Sequence, residues 1–136
     1  MADITADLAQ LNVQGPQSRH LLATLTDADL STEAYPFRTA RWIDVAGVRA
    51  LCARITYLGE LGYELYVPAA QAPAVYDAVA AAGAAYDFAP VGLKSLASLR
   101  MEKGYRDYGH DIDNTDSVLE AGLGFAVALD KPGGFL

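Results

Sequence analysis

One short segment concentrates groups able to do recognition chemistry: Tyr57-Leu58-Gly59-Glu60-Leu61-Gly62-Tyr63-Glu64-Leu65-Tyr66. Its two glycines permit close approach to the backbone, and its tyrosines offer flat apolar rings. Glu64 falls out of phase with Tyr63 and Leu65, so on a strand it points away from the apolar face. A carboxylate beside an aromatic surface suits a planar heterocycle with adjacent N–H donors. The ring stacks on tyrosine while the carboxylate accepts two parallel hydrogen bonds; an amino-pyrimidinone edge carries such a donor pair. The plainer alternative is a hairpin with a solvent-facing Glu64 and tyrosines that only pack, and composition alone favours it. Tyr57 and Glu64 are the candidate ligand residues, and no residue is assigned a catalytic role.

Arg100 also stands out in the sequence. A helix expected from Pro90 to about Lys103 puts it on one stripe with Leu93, Leu96 and Ala97. An arginine on the same face as buried leucines is unusual for its charge. Other patterns fail on spacing. Gly122-Leu123-Gly124 opens like a dinucleotide fingerprint, but Val127 stands where the third glycine belongs and no helix is expected behind it. Asp111-Ile112-Asp113-Asn114-Thr115-Asp116 resembles a calcium loop, yet Asp116 replaces the turn glycine and Gly122 the closing glutamate. A solvated acidic turn is expected there instead. His20 and His110 lack metal-ligand spacing, and Cys52, between Leu51 and Ala53, is expected in the core.

These groups need elements to hold them. Leu8 to Val13 alternates as a half-buried strand, and Gly15-Pro16 breaks it and opens a helix carrying Leu21, Leu22 and Leu25. The turn residues from Asp27 to Thr32 leave room for a short second helical turn. From Thr39 the period is two, with Arg41, Ile43 and Val45 on one face and Ala40, Trp42 and Asp44 on the other. Ala46-Gly47 reads as a hairpin turn. The returning strand is expected from Val48 to Tyr57, with Leu51, Ala53, Ile55 and Tyr57 in phase. A tight connection, Gly59 to Gly62, leads to a strand with Tyr63, Leu65 and Val67 on one face, ended by Pro68. Val75, Ala78, Val79 and Ala82 then show helical spacing, closed by Gly83 as a C′ residue. Gly104 ends the next helix, Tyr105 to Gly109 is a loop, and Gly124 to Leu129 is expected as a short strand.

The fold class expected is α+β, an antiparallel sheet with helices packed on one face. Residues 1–113 are expected to form the α+β domain, lacking an upstream part, and residues 114–136 to begin the following segment. The polar cluster from Asp113 to Ser117 marks the boundary, and the run ending at Leu136 is expected to continue in a longer protein.

The 136 residues are 52% hydrophobic and 20% charged, a globular balance with enough mass for a core. Ten Lys and Arg against seventeen Asp and Glu give a net charge of −7, which disfavours nucleic acid as a partner. No apolar run reaches membrane-spanning length, so no membrane partner is expected. The single cysteine fits a reducing compartment, and with no signal-peptide plan at Met1 to Asp7 the expected location is cytoplasmic.

Several motifs in order resemble the folate-binding aminomethyltransferase family. They are Gly15-Pro16 with Ser18-Arg19, the Tyr57-x-Gly-Glu-x-Gly-x-Glu64 run, and Ser98-Leu99-Arg100-Met101-Glu102-Lys103-Gly104-Tyr105. Asp111-Ile112 and Glu120-Ala121-Gly122-Leu123 extend the likeness, which covers about Leu11 to Lys131. The family includes the glycine cleavage T-protein and the C-terminal halves of dimethylglycine and sarcosine dehydrogenases. Leu61, where the T-protein usually has an acid, and Lys103, where it has alanine, are closer to the dehydrogenase branch.

The resemblance implies tetrahydrofolate as cofactor, with Tyr57 and Glu64 matching positions that contact the pterin. It implies FAD only in an upstream flavin domain that this chain lacks. That domain would oxidise an N-methyl group, and folate would capture the carbon as 5,10-methylenetetrahydrofolate. Further partners implied are that flavin domain and a C-terminal barrel of the same chain, also absent. Leu96 stands where the T-protein has a folate-contacting arginine; Arg100, one turn on, either replaces it or makes a buried ion pair. The family's catalytic acid lies upstream of the Gly-Pro segment, so this chain alone is expected to bind weakly and turn nothing over. A family-like structural or assembly domain without folate, or part of a standalone aminomethyltransferase, are the alternatives.

Overall fold

The computed structural model of the chain describes residues 2–135. Four strands, β1 (Leu8–Gln14), β2 (Ala40–Val45), β3 (Val48–Ala53) and β4 (Gly62–Pro68), form one antiparallel sheet in the order β1-β4-β3-β2. That order gives β4 a neighbour on each side, so Glu64 faces Asn12 of β1 and Ala53 of β3. Helices α1 (Ser18–Ala23) and α2 (Ala72–Gly83) pack against each other and onto β4 and β1. The fold is α+β with these helices on one sheet face, as the alternation of the strands requires.

The core lies between that face and the helices. Ile43, Val45, Val48, Ala50, Cys52, Tyr63, Leu65 and Val67 point inward from the sheet and meet Leu21, Leu22, Val75 and Val79 from the helices. Burying a side chain of this size contributes about 1.5–3 kcal/mol. Tyr35 enters from the connection before β2, donates its hydroxyl to the Cys52 carbonyl at 2.6 Å, and meets Tyr63 edge-on at 6.2 Å. Its phenol therefore has a partner inside the core, as burial demands.

Several sequence expectations are corrected here. The second strand of the hairpin ends at Ala53, not Tyr57, and its inward set is Val48, Ala50 and Cys52 instead of Leu51, Ala53, Ile55 and Tyr57. The hairpin turn decides this. Ala46 and Gly47 both have positive φ, 50° and 78°, which closes a two-residue loop and pairs Val45 with Val48. Opposed residues share a face, so the parity of β2 is imposed on β3. Beyond Ala53 the Ile55 N–H turns back to the Ala53 carbonyl at 3.1 Å and breaks the extended path. The connection to β4 is thus the longer segment 54–61.

Gly83 closes α2 from inside the helix and does not adopt the left-handed C′ conformation. It is glycine because the chain folds back over it: a Cβ there would lie 2.4 Å from Cβ of Phe88. Helix α3 (Leu93–Glu102) starts after Pro90, and its expected apolar stripe is open, with Leu93 83% exposed and only Arg100 buried. Its end follows expectation. Gly104, at φ 68°, gives its N–H to the Met101 carbonyl while Tyr105 gives its own to the Arg100 carbonyl, a Schellman closure. The expected strand over Gly124 to Leu129 is a 3-10 turn, Gly124–Ala126, because local bonds such as Val127 N–H to Gly124 C=O replace any ladder. The turn after α1 is a helical closure from Tyr35 N–H to Ser31 C=O, later than Asp27 to Thr32.

Candidate functional site

The sheet face away from α1 and α2 carries the recognition groups. Cross-strand pairing lines up Gln10, Tyr66, Leu51 and Trp42 in one row and Asn12, Glu64, Ala53 and Ala40 in the next. Trp42 is 55% exposed on this face, an open aromatic surface. Its signal was present in the sequence as a tryptophan out of phase with Ile43, but it was not singled out as a ligand residue.

Glu64 sits half-buried in the middle of the face. Tyr66 donates its hydroxyl to Glu64 Oε2 at 2.6 Å, and that bond, with burial, pushes the Tyr66 phenol pKa up. No described residue donates to Glu64 Oε1. One place along the strand, Gln14 lies across Gly62, and its Oε1 is buried without a donor among the described residues. An unpaired Glu64 oxygen beside the Tyr66 phenol fits a flat ligand that brings N–H donors. The residues present therefore fit the pterin of the folate that the resemblance implies.

Tyr57 lies in the segment 54–61 beyond the end of β3, so the ladder does not hold it. Burial first, then the neighbouring Asp107 carboxylate, push its phenol pKa up; Arg100 opposes and Asp111 adds to the shift. Arg100, Asp111 and the Asp107 backbone are joined by hydrogen bonds. Glu64 belongs to the sheet, with Tyr66 as its partner.

Arg100, 2% exposed, is found in the ion pair that the sequence left open. Its guanidinium forks onto both oxygens of Asp111 and donates to the Tyr105 carbonyl at 2.9 Å. The fork holds the Asp111 carboxyl well below the usual carboxylate range, and the Asp107 N–H, 2.8 Å from Oδ2, adds to this.

A shallow depression of about 330 Å³ is lined by Phe37, Arg54, Thr56, Tyr105 and residues 59–62. Arg54 donates to the Tyr35 carbonyl at 2.5 Å, and its Nε is buried without an acceptor among the described residues. No group of His, Cys, Asp and Glu able to hold a metal ion is formed among the described residues. No helix there is long and apolar enough to cross a membrane.

The fold and its bare, carboxylate-bearing face define an α+β piece of the aminomethyltransferase fold. The chain belongs to the GCVT N-terminal domain family, whose profile matches residues 1–131. It is 43% identical over 136 residues to human mitochondrial sarcosine dehydrogenase, covering all of this chain and 15% of that protein. It is 45% identical over 134 residues to 4-methylaminobutanoate oxidase (formaldehyde-forming) of Paenarthrobacter nicotinovorans, covering 98% of this chain and 16% of that protein. An aminomethyltransferase of Geobacillus kaustophilus is 41% identical over 136 residues, covering 100% and 37%. The chain thus spans a minor part of the length of the relatives it matches.

Proposed function

We propose that this chain is the tetrahydrofolate-binding part of a flavin-dependent dehydrogenase of N-methylated amino acids, of the sarcosine or dimethylglycine type. Leu61 and Lys103, the branch-marking residues, support this choice, as do two relatives named as a sarcosine dehydrogenase and a formaldehyde-forming oxidase. FAD belongs to another domain of the parent protein, and the segment after about Asp113 leads toward a C-terminal barrel. The lone thiol, Cys52, is buried and supports a reducing, cytoplasmic setting.

The observation that carries the reading is Glu64, with one oxygen fixed by Tyr66 and the other free in the middle of the bare face. Bound tetrahydrofolate supplies the nitrogen atoms that accept a one-carbon unit. This chain's residues bind and orient it. Glu64 accepts N–H donors from the pterin edge, and the Tyr66 bond keeps its carboxylate from rotating away. Tyr57 stacks on the ring, while Arg100 holds the loop behind Tyr57 in place of a direct ligand contact.

Calorimetric titration with a stable reduced folate tests this, comparing the wild type with Glu64→Gln. The expected result is saturable binding weakened tenfold or more by the substitution, about 1.4 kcal/mol. Equal binding by both proteins would remove Glu64 from the site. No binding by either would overturn the folate reading of this chain.

A further inference from the structure

One more polar side chain on the bare sheet face has a fixed seat. Gln14, the last residue of β1, pairs with Gly62, while Asn12 pairs with Glu64. Gln14 and Glu64 are therefore diagonal neighbours on one face of two adjacent strands. Such pairs lie roughly 7–8 Å apart, within reach of long side chains. The terminal amide of Gln14 lies over Gly62: a Cβ there would overlap its Oε1 and Cδ and stand 2.7 Å from Nε2. Gly62 keeps φ out of the left-handed region, so close approach is the reason for glycine at this place. Oε1 is buried and has no donor among the described residues. A ligand does not reach a buried acceptor, so the amide offers the face its other end, the Nε2 donor.

Glu64 and Gln14 together present acceptor, acceptor and donor. The complement is a flat edge with two adjacent N–H groups and then a carbonyl. An amino-pyrimidinone edge has that order: amino group, ring N–H, ring carbonyl. We propose that Gln14 is a specificity-determining residue, which donates from Nε2 to the ring carbonyl while Glu64 accepts from the two N–H groups. The inference rests on the reading of Glu64 as the acceptor of a pterin edge. It adds a group that tells a ring carbonyl from an amino group at the same place. An amino group there would set donor against donor and leave both unpaired, which a site built around a hydrogen bond rejects.

Calorimetric titration compares a stable reduced folate with the same compound carrying an amino group in place of its ring carbonyl. The proteins are the wild type, Gln14→Ala, Gly62→Ala and the double variant. The wild type should hold the carbonyl compound more tightly. Gln14→Ala should weaken that compound about fivefold to tenfold, the scale of one hydrogen bond, and leave the amino compound within about twofold. Gly62→Ala pushes the flexible amide off its seat and should reproduce the loss. Added to Gln14→Ala, it should cost nothing more. The urea unfolding midpoint of Gln14→Ala should match that of the wild type.

Unchanged binding of the carbonyl compound by Gln14→Ala would overturn the proposal and leave the Glu64 reading standing. So would an equal loss for both compounds, or a loss that comes with a lowered unfolding midpoint, since either marks a structural role. A wild type that binds neither compound would overturn the folate reading and this inference with it, a pattern that no other outcome gives.

Discussion

Lys103 Nζ lies 2.8 Å from Glu60 Oε1, and beneath that ion pair the Lys103 stem runs directly over Gly59. The two residues join segments that are distant in sequence: the β3–β4 connection and the end of α3. The pair itself is half-exposed at both ends, so its charge contributes little to stability. Its geometry matters more. A Cβ on Gly59 would lie 2.5 Å from both Cβ and Cγ of Lys103, and Gly59 already holds φ at 75°. Gly59→Ala should therefore destabilise the chain by about 1–3 kcal/mol, while Lys103→Met leaves the unfolding midpoint nearly unchanged. Urea denaturation measures both, and an unchanged midpoint for Gly59→Ala would refute this close packing.

The Arg100–Asp111 pair sets a second expectation, in acid. The folded-state pKa of Asp111 is depressed, so the unfolded chain takes up this proton first as pH falls. The stabilisation is complete above the unfolded value near 3.8 and is lost as pH drops through the lower folded value. Asp111→Asn removes that dependence, so its stability should fall less steeply below about pH 4 than that of the wild type. Some slope will remain, because Asp3, Asp29, Asp113 and Glu120 are also depressed by their own hydrogen bonds. Unfolding midpoints measured at several pH values decide; parallel profiles for the two proteins would count against the pair.

Tyr35 and Cys52 make the third. Tyr35→Phe deletes a bond to a buried carbonyl and should cost about 1–2 kcal/mol in thermal or urea unfolding. The Cys52 thiol is fully buried, and burial pushes its pKa up, so a thiol reagent should label it only as the chain opens. Labelling rates in native buffer should rise in Tyr35→Phe in step with the lost stability. Complete labelling of the native wild type within seconds would contradict the placement of Cys52.

The recognition segment illustrates how local pattern can be read correctly and explained wrongly. Its two glycines suggested room for a ligand. In the fold they make room for the chain's own side chains, Gly59 for the Lys103 stem and Gly62 for the Gln14 amide. The out-of-phase position of Glu64 was legible, because strand alternation is a property of consecutive residues. Its partner Tyr66 was equally near. What could not be read was that the connection before Gly62 is long and leaves Tyr57 outside the ladder.

The sequence by itself determined the features that depend on neighbours along the chain. These are the alternation of β1, β2 and β4, the Ala46-Gly47 turn, the glycine end of α3, and the ordered motifs that mark the family. Only the tertiary structure decided that β4 lies between β1 and β3, since strand order is set by contacts between segments far apart in the chain. It also decided that Arg100 is occupied by Asp111. Periodicity names the faces of an element, but what covers each face comes from distant residues, and the energy of a buried charge is settled by the partner it meets there.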